Sequence, residues 1–138
     1  MPKNTLSWIP LLALLAPGCQ LQPFPAGTPL ERQFTFYSSA PEGGNPRKIQ
    51  DVRVGVSGLA EPGLGILRVE VVLFEDRNRD GQFQPEERIQ FARAEFGRPS
   101  AYAAFGTFTL ANEIRFPMFR AEVETTQGTV EHLWEPGN

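Results

Sequence analysis

An all-β sandwich is the fold the sequence predicts, and three observations predict it. Apolar and polar residues alternate along most of the chain, as where Val52, Val54 and Val56 interleave with Asp51, Arg53 and Gly55. Clusters of Gly, Pro, Asn and Ser break that alternation at short intervals. No heptad pattern and no internal repeat is present. The 138 residues, 41% hydrophobic and including eleven phenylalanines, suffice for one compact domain with a proper core plus appendages.

The elements follow in order. From about Leu30, Phe34 and Phe36 alternate with Gln33 and Thr35, and turn formers fill Ser38–Pro46. The valine stretch comes next, then a Gly/Pro loop over Ser57–Gly65. In the strand that follows, Leu67, Val69, Val71 and Leu73 share one face, while Arg68 and Glu70 take the other. Val72 and Phe74 break the polar face near its end, which predicts that the loop beyond covers them. Arg88–Gly97 reads as a strand from Ile89 and Phe91, although Ile89, Ala92, Arg93 and Phe96 also suit a short helix. Ala101–Ala111, Glu113–Glu124 and Gly128–Trp134 read as further strands, with Pro117 marking its segment as an edge or an interrupted strand. About seven strands over residues 30–138 predict an immunoglobulin-like β-sandwich of undetermined strand order.

The N-terminus reads as an address rather than as part of the fold. Lys3 lies in a short polar head, and Leu6–Ala16 is an apolar run too short to span a bilayer as a permanent helix. Cys19 is the only cysteine, so an intramolecular disulfide is excluded and a lone thiol in an exported protein needs a role. Leu15-Ala16-Pro17-Gly18-Cys19 resembles a bacterial lipobox. The resemblance implies a signal peptide over residues 1–18 and lipidation of Cys19 through its sulfur. Gln20 stands where an inner-membrane retention aspartate would, which by the same resemblance implies the outer membrane or cell surface. An ordinary cleaved signal with an incidental cysteine is the alternative. Residues 19–29 continue as a Pro-rich tether of extended, fairly stiff character.

The stretch Asp76–Glu87, D-R-N-R-D-G-Q-F-Q-P-E-E, carries the chemistry. Asp76, Asn78 and Asp80 alternate, Gly81 follows, and Glu87 closes the run, which matches the twelve-residue calcium loop D-x-[DN]-x-[DN]-G-x5-E. Calcium takes six to eight oxygens. The pattern offers side-chain oxygens from Asp76, Asn78, Asp80, Gln84 (directly or through a water) and Glu87, with the Gln82 main-chain carbonyl. Gly81 allows the sharp bend. Phe83 occupies the position that turns inward, and Arg77 and Arg79 point outward and weaken the negative field. A plain Asp-Gly turn without metal is the alternative. The loop resembles an EF-hand, but the element entering it reads as a strand and only one such loop is present. It is closer to the strand–loop calcium sites of extracellular bacterial β-sandwich modules, and that resemblance implies structural rather than signalling calcium.

Other chemistries are poorly provided for. His132 is the only histidine, so neither a zinc site nor a Cys–His pair can be assembled. Thirteen scattered basic residues and a net charge of −3 exclude a nucleic-acid footprint. Tyr37, Tyr102 and Trp134 suit core packing, with sugar stacking as the alternative. The sequence therefore predicts a calcium-binding, non-enzymatic lipoprotein of the cell envelope, held to the membrane by its anchor. An envelope protein or polysaccharide is the expected partner, and a carbohydrate-binding or accessory hydrolase-type domain is the alternative function.

Overall fold

The computed structural model describes residues 27–57 and 63–137. The signal segment, Cys19 and most of the tether lie outside the described residues. A 3-10 turn, Leu30–Gln33, opens the domain. Nine strands follow among the described residues: β1 Phe34–Ser38, β2 Arg47–Ile49, β3 Val52–Val56, β4 Ile66–Glu75, β5 Arg88–Ser100, β6 Tyr102–Phe105, β7 Phe108–Leu110, β8 Pro117–Thr125 and β9 Gly128–Trp134. None of the described elements is a helix long and apolar enough to cross a membrane.

The strands form antiparallel sheets in the order β9-β8-β4-β5 and β1-β3-β6, with a separate pair β2-β7. This is the A-B-E against G-F-C-C′ order of an immunoglobulin-like sandwich. Inward residues of all three sheets share one core: Val52, Val54 and Ala103 from one sheet, Val71, Leu73, Phe119 and Val123 from its partner, Ile49 and Leu110 from the small pair. Phe119 lies at the centre, edge-on to Phe108 at 5.3 Å and stacked on Trp134 at 5.4 Å between centroids.

Several elements depart from the sequence pattern for identifiable reasons. A bulge between Ile66 and Arg68 resets the alternation of β4, so Ile66 enters the core and Leu67 is left half-buried. Gly65, just before it, is fixed by space: a β-carbon there would stand 2.6 Å from the side chain of Pro99. Ala101–Ala111 is two strands, β6 and β7, separated at Gly106-Thr107. Arg47–Ile49, unassigned by the sequence pattern, pairs with β7. Pro117 neither interrupts a strand nor marks an edge: β8 begins at it and lies between β9 and β4. A first strand position tolerates proline. Arg88–Ser100 is an edge strand throughout, not a helix.

The topology gives the sandwich two distinct poles. β4 begins at Ile66 opposite Thr125 and ends at Glu75 opposite Pro117, while β9 runs alongside from Gly128 to Trp134. β1 runs the same way as β9, with Leu30 beside Gly128 and Ser38 bonded to Trp134. The chain thus enters at the pole of Leu30, Ile66 and Gly128. Residues 76–87, the segment 111–116 and Glu135–Gly137 gather at the opposite pole.

Candidate metal centre

β4 and β5 form a hairpin whose connection is the twelve residues Asp76–Glu87. The outward face of β4 is apolar at its end, where Val72 and Phe74 are buried. Phe83 folds back from the loop to cover Phe74, with ring centroids 5.1 Å apart. That contact fixes how the loop returns, and the expected covering by the loop is shown for Phe74; Val72 is buried as well. The Arg120 guanidinium lies 5.6 Å from the Phe83 ring on the other side.

Both ends of the loop are acidic and buried: Asp76 and Glu87 are each 5% exposed. Main-chain N–H groups hold their carboxylates. Asp76 Oδ2 accepts from Gly81 at 2.9 Å and Oδ1 from Asp80 at 3.3 Å. Glu87 Oε1 accepts from Gln84 at 3.0 Å and Oε2 from Arg77 at 3.2 Å. Asp80 Oδ1 accepts from Gln82 at 2.9 Å and Oδ2 from the Gln84 side-chain amide at 3.1 Å. The Asn78 carbonyl oxygen accepts from the Asp80 N–H at 3.4 Å. Each of these oxygens has a further lone pair. The winding itself uses left-handed backbone at Arg79 (φ 55°) and Gly81 (φ 75°). A short 3-10 turn, Pro85–Glu87, with proline at its start, delivers Glu87 to the start of β5.

The electrostatics favour the ionised form of Asp80. The Gln82 N–H, helped by the Gln84 amide and against partial desolvation, holds the Asp80 carboxyl below the ordinary aspartate range. Glu75, just before the loop, is held low by the Arg115 N–H first and by the Arg77 side chain next. Arg77 therefore turns away from the ligand positions and pairs with Glu75 at 2.8 Å. Arg79 turns away too, over the Phe116 ring at 4.2 Å.

The six sequence-predicted positions thus share one wound loop, with Asp76, Asp80 and Gln84 linked to one another and Glu87 joined to Gln84. Among the described residues no three carboxylate, imidazole or thiol groups are gathered into a cluster. The predicted ligand positions instead mix the carboxylates of Asp76, Asp80 and Glu87 with the side-chain amides of Asn78 and Gln84 and the Gln82 main chain. One atom is left over: Gln84 Oε1 is buried at the cap of the 3-10 turn, facing the Glu87 N–H, which bonds instead to the Gln84 main-chain carbonyl at 2.9 Å. A buried acceptor without a donor is costly unless a cation or a water meets it. Hard oxygen donors with an orphaned acceptor among them fit calcium.

The aromatics flagged by sequence part company. Trp134 is core, its Nε1–H donating to the buried Ser38 hydroxyl at 3.0 Å. Tyr37 and Tyr102 instead stand exposed on the outer face of β1-β3-β6. His132 stacks on Phe36 at 4.3 Å and contacts Glu31.

Sequence reading missed a groove of about 590 Å³ beside the loop. Asp76, Arg79 and Gly81 form its loop wall, Phe116, Pro117 and Met118 a second, and Pro41, Glu135 and Pro136 the rest. Phe116 has a left-handed backbone (φ 52°), as Arg79 does. Such a conformation costs a non-glycine residue about 1–3 kcal/mol, and no residue pattern announces it. The segment carrying Phe116 is tied down on three sides. Arg47 Nη2 donates to the Ala111 and Ile114 carbonyls, Arg115 N–H to Glu75, and Asp76 N–H to the Phe116 carbonyl at 3.0 Å. Compared with protein-family models, with curated proteins and with solved structures, the chain has no match.

Proposed function

We propose that this protein is a lipid-anchored, exported module of the cell envelope or surface, non-enzymatic, with one structural calcium in the loop Asp76–Glu87. The observation that carries the reading is the loop's internal order: two buried terminal carboxylates, each held by main-chain N–H groups, beside an unpartnered Gln84 Oε1. Asp76, Asn78, Asp80, Gln84 and Glu87 would supply side-chain oxygens and Gln82 its carbonyl. Calcium there would neutralise acidic groups that otherwise repel, and would pin the end of β4 to the start of β5. Extracellular modules of this kind bind at about 10⁻⁴–10⁻³ M, suited to an ion abundant outside the cell.

Cys19 is the point of attachment to the outer membrane or surface, and more than one acyl chain makes such an anchor firm. Leu30, which follows the expected tether, lies at the pole away from the calcium loop, so on this reading the loop pole faces outward. A non-enzymatic role is supported by His132, which is engaged with Phe36 and Glu31. A polysaccharide partner is favoured over a purely structural role by one observation: Phe116, beside the loop, is 43% exposed in a groove.

The test is thermal unfolding in excess calcium and in excess chelator, for the native chain and for Glu87→Gln. Binding to the folded state alone adds about 2.7 kcal/mol at a hundredfold excess over Kd. A rise in midpoint of several degrees that the variant lacks supports the site. No response from either protein at millimolar calcium removes it.

A further inference from the structure

We infer that the groove beside the loop binds a carboxylated sugar unit of an envelope or extracellular polysaccharide, with Arg79 pairing its carboxylate and Phe116 packing against its ring. Charge is the first argument. Arg53, Arg68, Arg77, Arg93 and Arg120 each pair with a carboxylate. Arg79 pairs with no carboxylate among the described residues and has only the Phe116 ring. Arg32, Arg88, Arg98 and Arg115 are likewise without an ion pair there, but none of them lines the groove, as Arg79 does. The planar fork of Arg79 is free for an incoming carboxylate, which it matches with two parallel hydrogen bonds.

The backbone supplies the second argument. Arg79 and Phe116 both occupy left-handed conformations, which glycine adopts without steric penalty. The winding of the loop sets Arg79 in this conformation and the tied-down 111–116 segment sets Phe116, and together the two place a cation and an aromatic edge on the same groove.

The remaining walls select the kind of ligand. Pro41, Met118 and Pro136 offer C–H surface, and Glu135 accepts from hydroxyls. An extended peptide would need free main-chain donors to pair with. Those of the loop wall are taken: Asp76 N–H by Phe116, Arg79 N–H by the Asp76 carbonyl, Gly81 N–H by the Asp76 carboxylate. Recognition therefore falls to side chains, an anionic group and an apolar face, which a uronate-type ring provides. The pole lies opposite that of Leu30, and a volume of about 590 Å³ holds one or two sugar rings. Calcium dependence of this binding rests on the reading of the loop as a calcium site, since the same winding sets Arg79 in place.

The experiment is isothermal titration of the full chain in mild detergent, in excess calcium and in chelator. The probes are galacturonate and mannuronate trimers, sialyllactose, their neutral counterparts, and a tripeptide with a free carboxylate. The expected result is binding of at least one acidic saccharide, weakened about tenfold or more for its neutral counterpart and for Arg79→Gly. Arg79→Gly eases the left-handed backbone, so its calcium-induced thermal shift should persist, and Phe116→Gly should behave likewise. Failure of all acidic saccharides, equal binding by Arg79→Gly, or preference for the tripeptide overturns the proposal. If no calcium shift is seen but Arg79-dependent binding persists in chelator, the calcium reading falls and the groove assignment stands. If a calcium shift is seen without saccharide binding, the groove assignment falls and the calcium site stands.

Discussion

The rings of Phe74 and Phe83 meet edge-on, 5.1 Å apart, one at the end of β4 and the other in the loop that leaves it. The loop is therefore docked on the sheet, and its order is coupled to the sheet's. Phe83→Ala should lower unfolding stability by about 1–3 kcal/mol, because it uncovers Phe74 as well as removing a half-buried ring. It should also weaken calcium binding, since the return path of Asp80–Gln84 loses its fixed point. Denaturant unfolding with and without calcium checks both effects. A stability loss with an unchanged calcium response would show that loop geometry is set without the ring.

Gln84 offers a sharper test of the ligand set. Its side-chain amide donates to Asp80 Oδ2 at 3.1 Å while its Oε1 goes unpartnered. Gln84→Glu replaces that donor by a carboxylate facing Asp80. In chelator the variant should melt below the native protein, because like charges meet. In calcium it should gain the larger shift, with affinity raised about tenfold, equivalent to ~1.4 kcal/mol, as the anionic ligand count increases. Melting curves in both conditions decide it, and a smaller calcium shift than in the native chain would remove Gln84 from the ligand set.

Glu75 should give the domain a measurable acid sensitivity. The Arg115 N–H and then the Arg77 side chain hold its carboxyl below the ordinary glutamate range. A folded value below the unfolded one means that the stabilisation is complete above the unfolded pKa, about 4.3. It is then lost as pH falls through the lower folded value. Glu75→Gln, measured in chelator, should be less stable than the native chain by about 1–2 kcal/mol at neutral pH. The gap should close toward strongly acidic pH. A gap that does not change with pH would mean that the carboxylate's charge contributes nothing.

What could be read from the sequence was what period and spacing encode. The loop's ends, its glycine and its inward Phe83 were legible because each ligand position has a fixed offset from Asp76. Val52 and Val54 were legible because a central strand alternates cleanly. Phe91 was not. It looks like a core residue, yet it is 47% exposed under the Arg88 guanidinium, while Ala92, Ala94 and Phe96 pack inward. Strand β5 lies at an edge, where small residues fill the inward positions, so hydrophobicity alone does not tell which face is inward. Arg79 and Phe116 were illegible for another reason: they come together across 37 residues of sequence through backbone conformations that carry no signature.

Cys19 yields a prediction independent of the fold. Cys19→Ala should abolish fatty-acyl labelling and move the protein from the membrane to the soluble fraction, since no other cysteine can take its place. Retained labelling or unchanged membrane association would show that attachment has another basis.

Ser38 links the core to the groove pole, and its removal should be felt at both. Fully buried, its hydroxyl accepts from Trp134 Nε1 at 3.0 Å and from the Gly137 N–H at 3.2 Å, while its carbonyl accepts from Gly137 at 3.1 Å. Ser38→Ala leaves the indole N–H buried without a partner, a loss of about 1–3 kcal/mol. It also releases one of the two bonds holding Gly137, and with it the segment carrying Glu135 and Pro136. Hydrogen exchange should then quicken at Gly137 beyond the change seen across β8, whose protection reflects global opening. Uniform quickening at both places would mean that the C-terminal segment is held by the carbonyl bond alone, and that the serine acts only through Trp134.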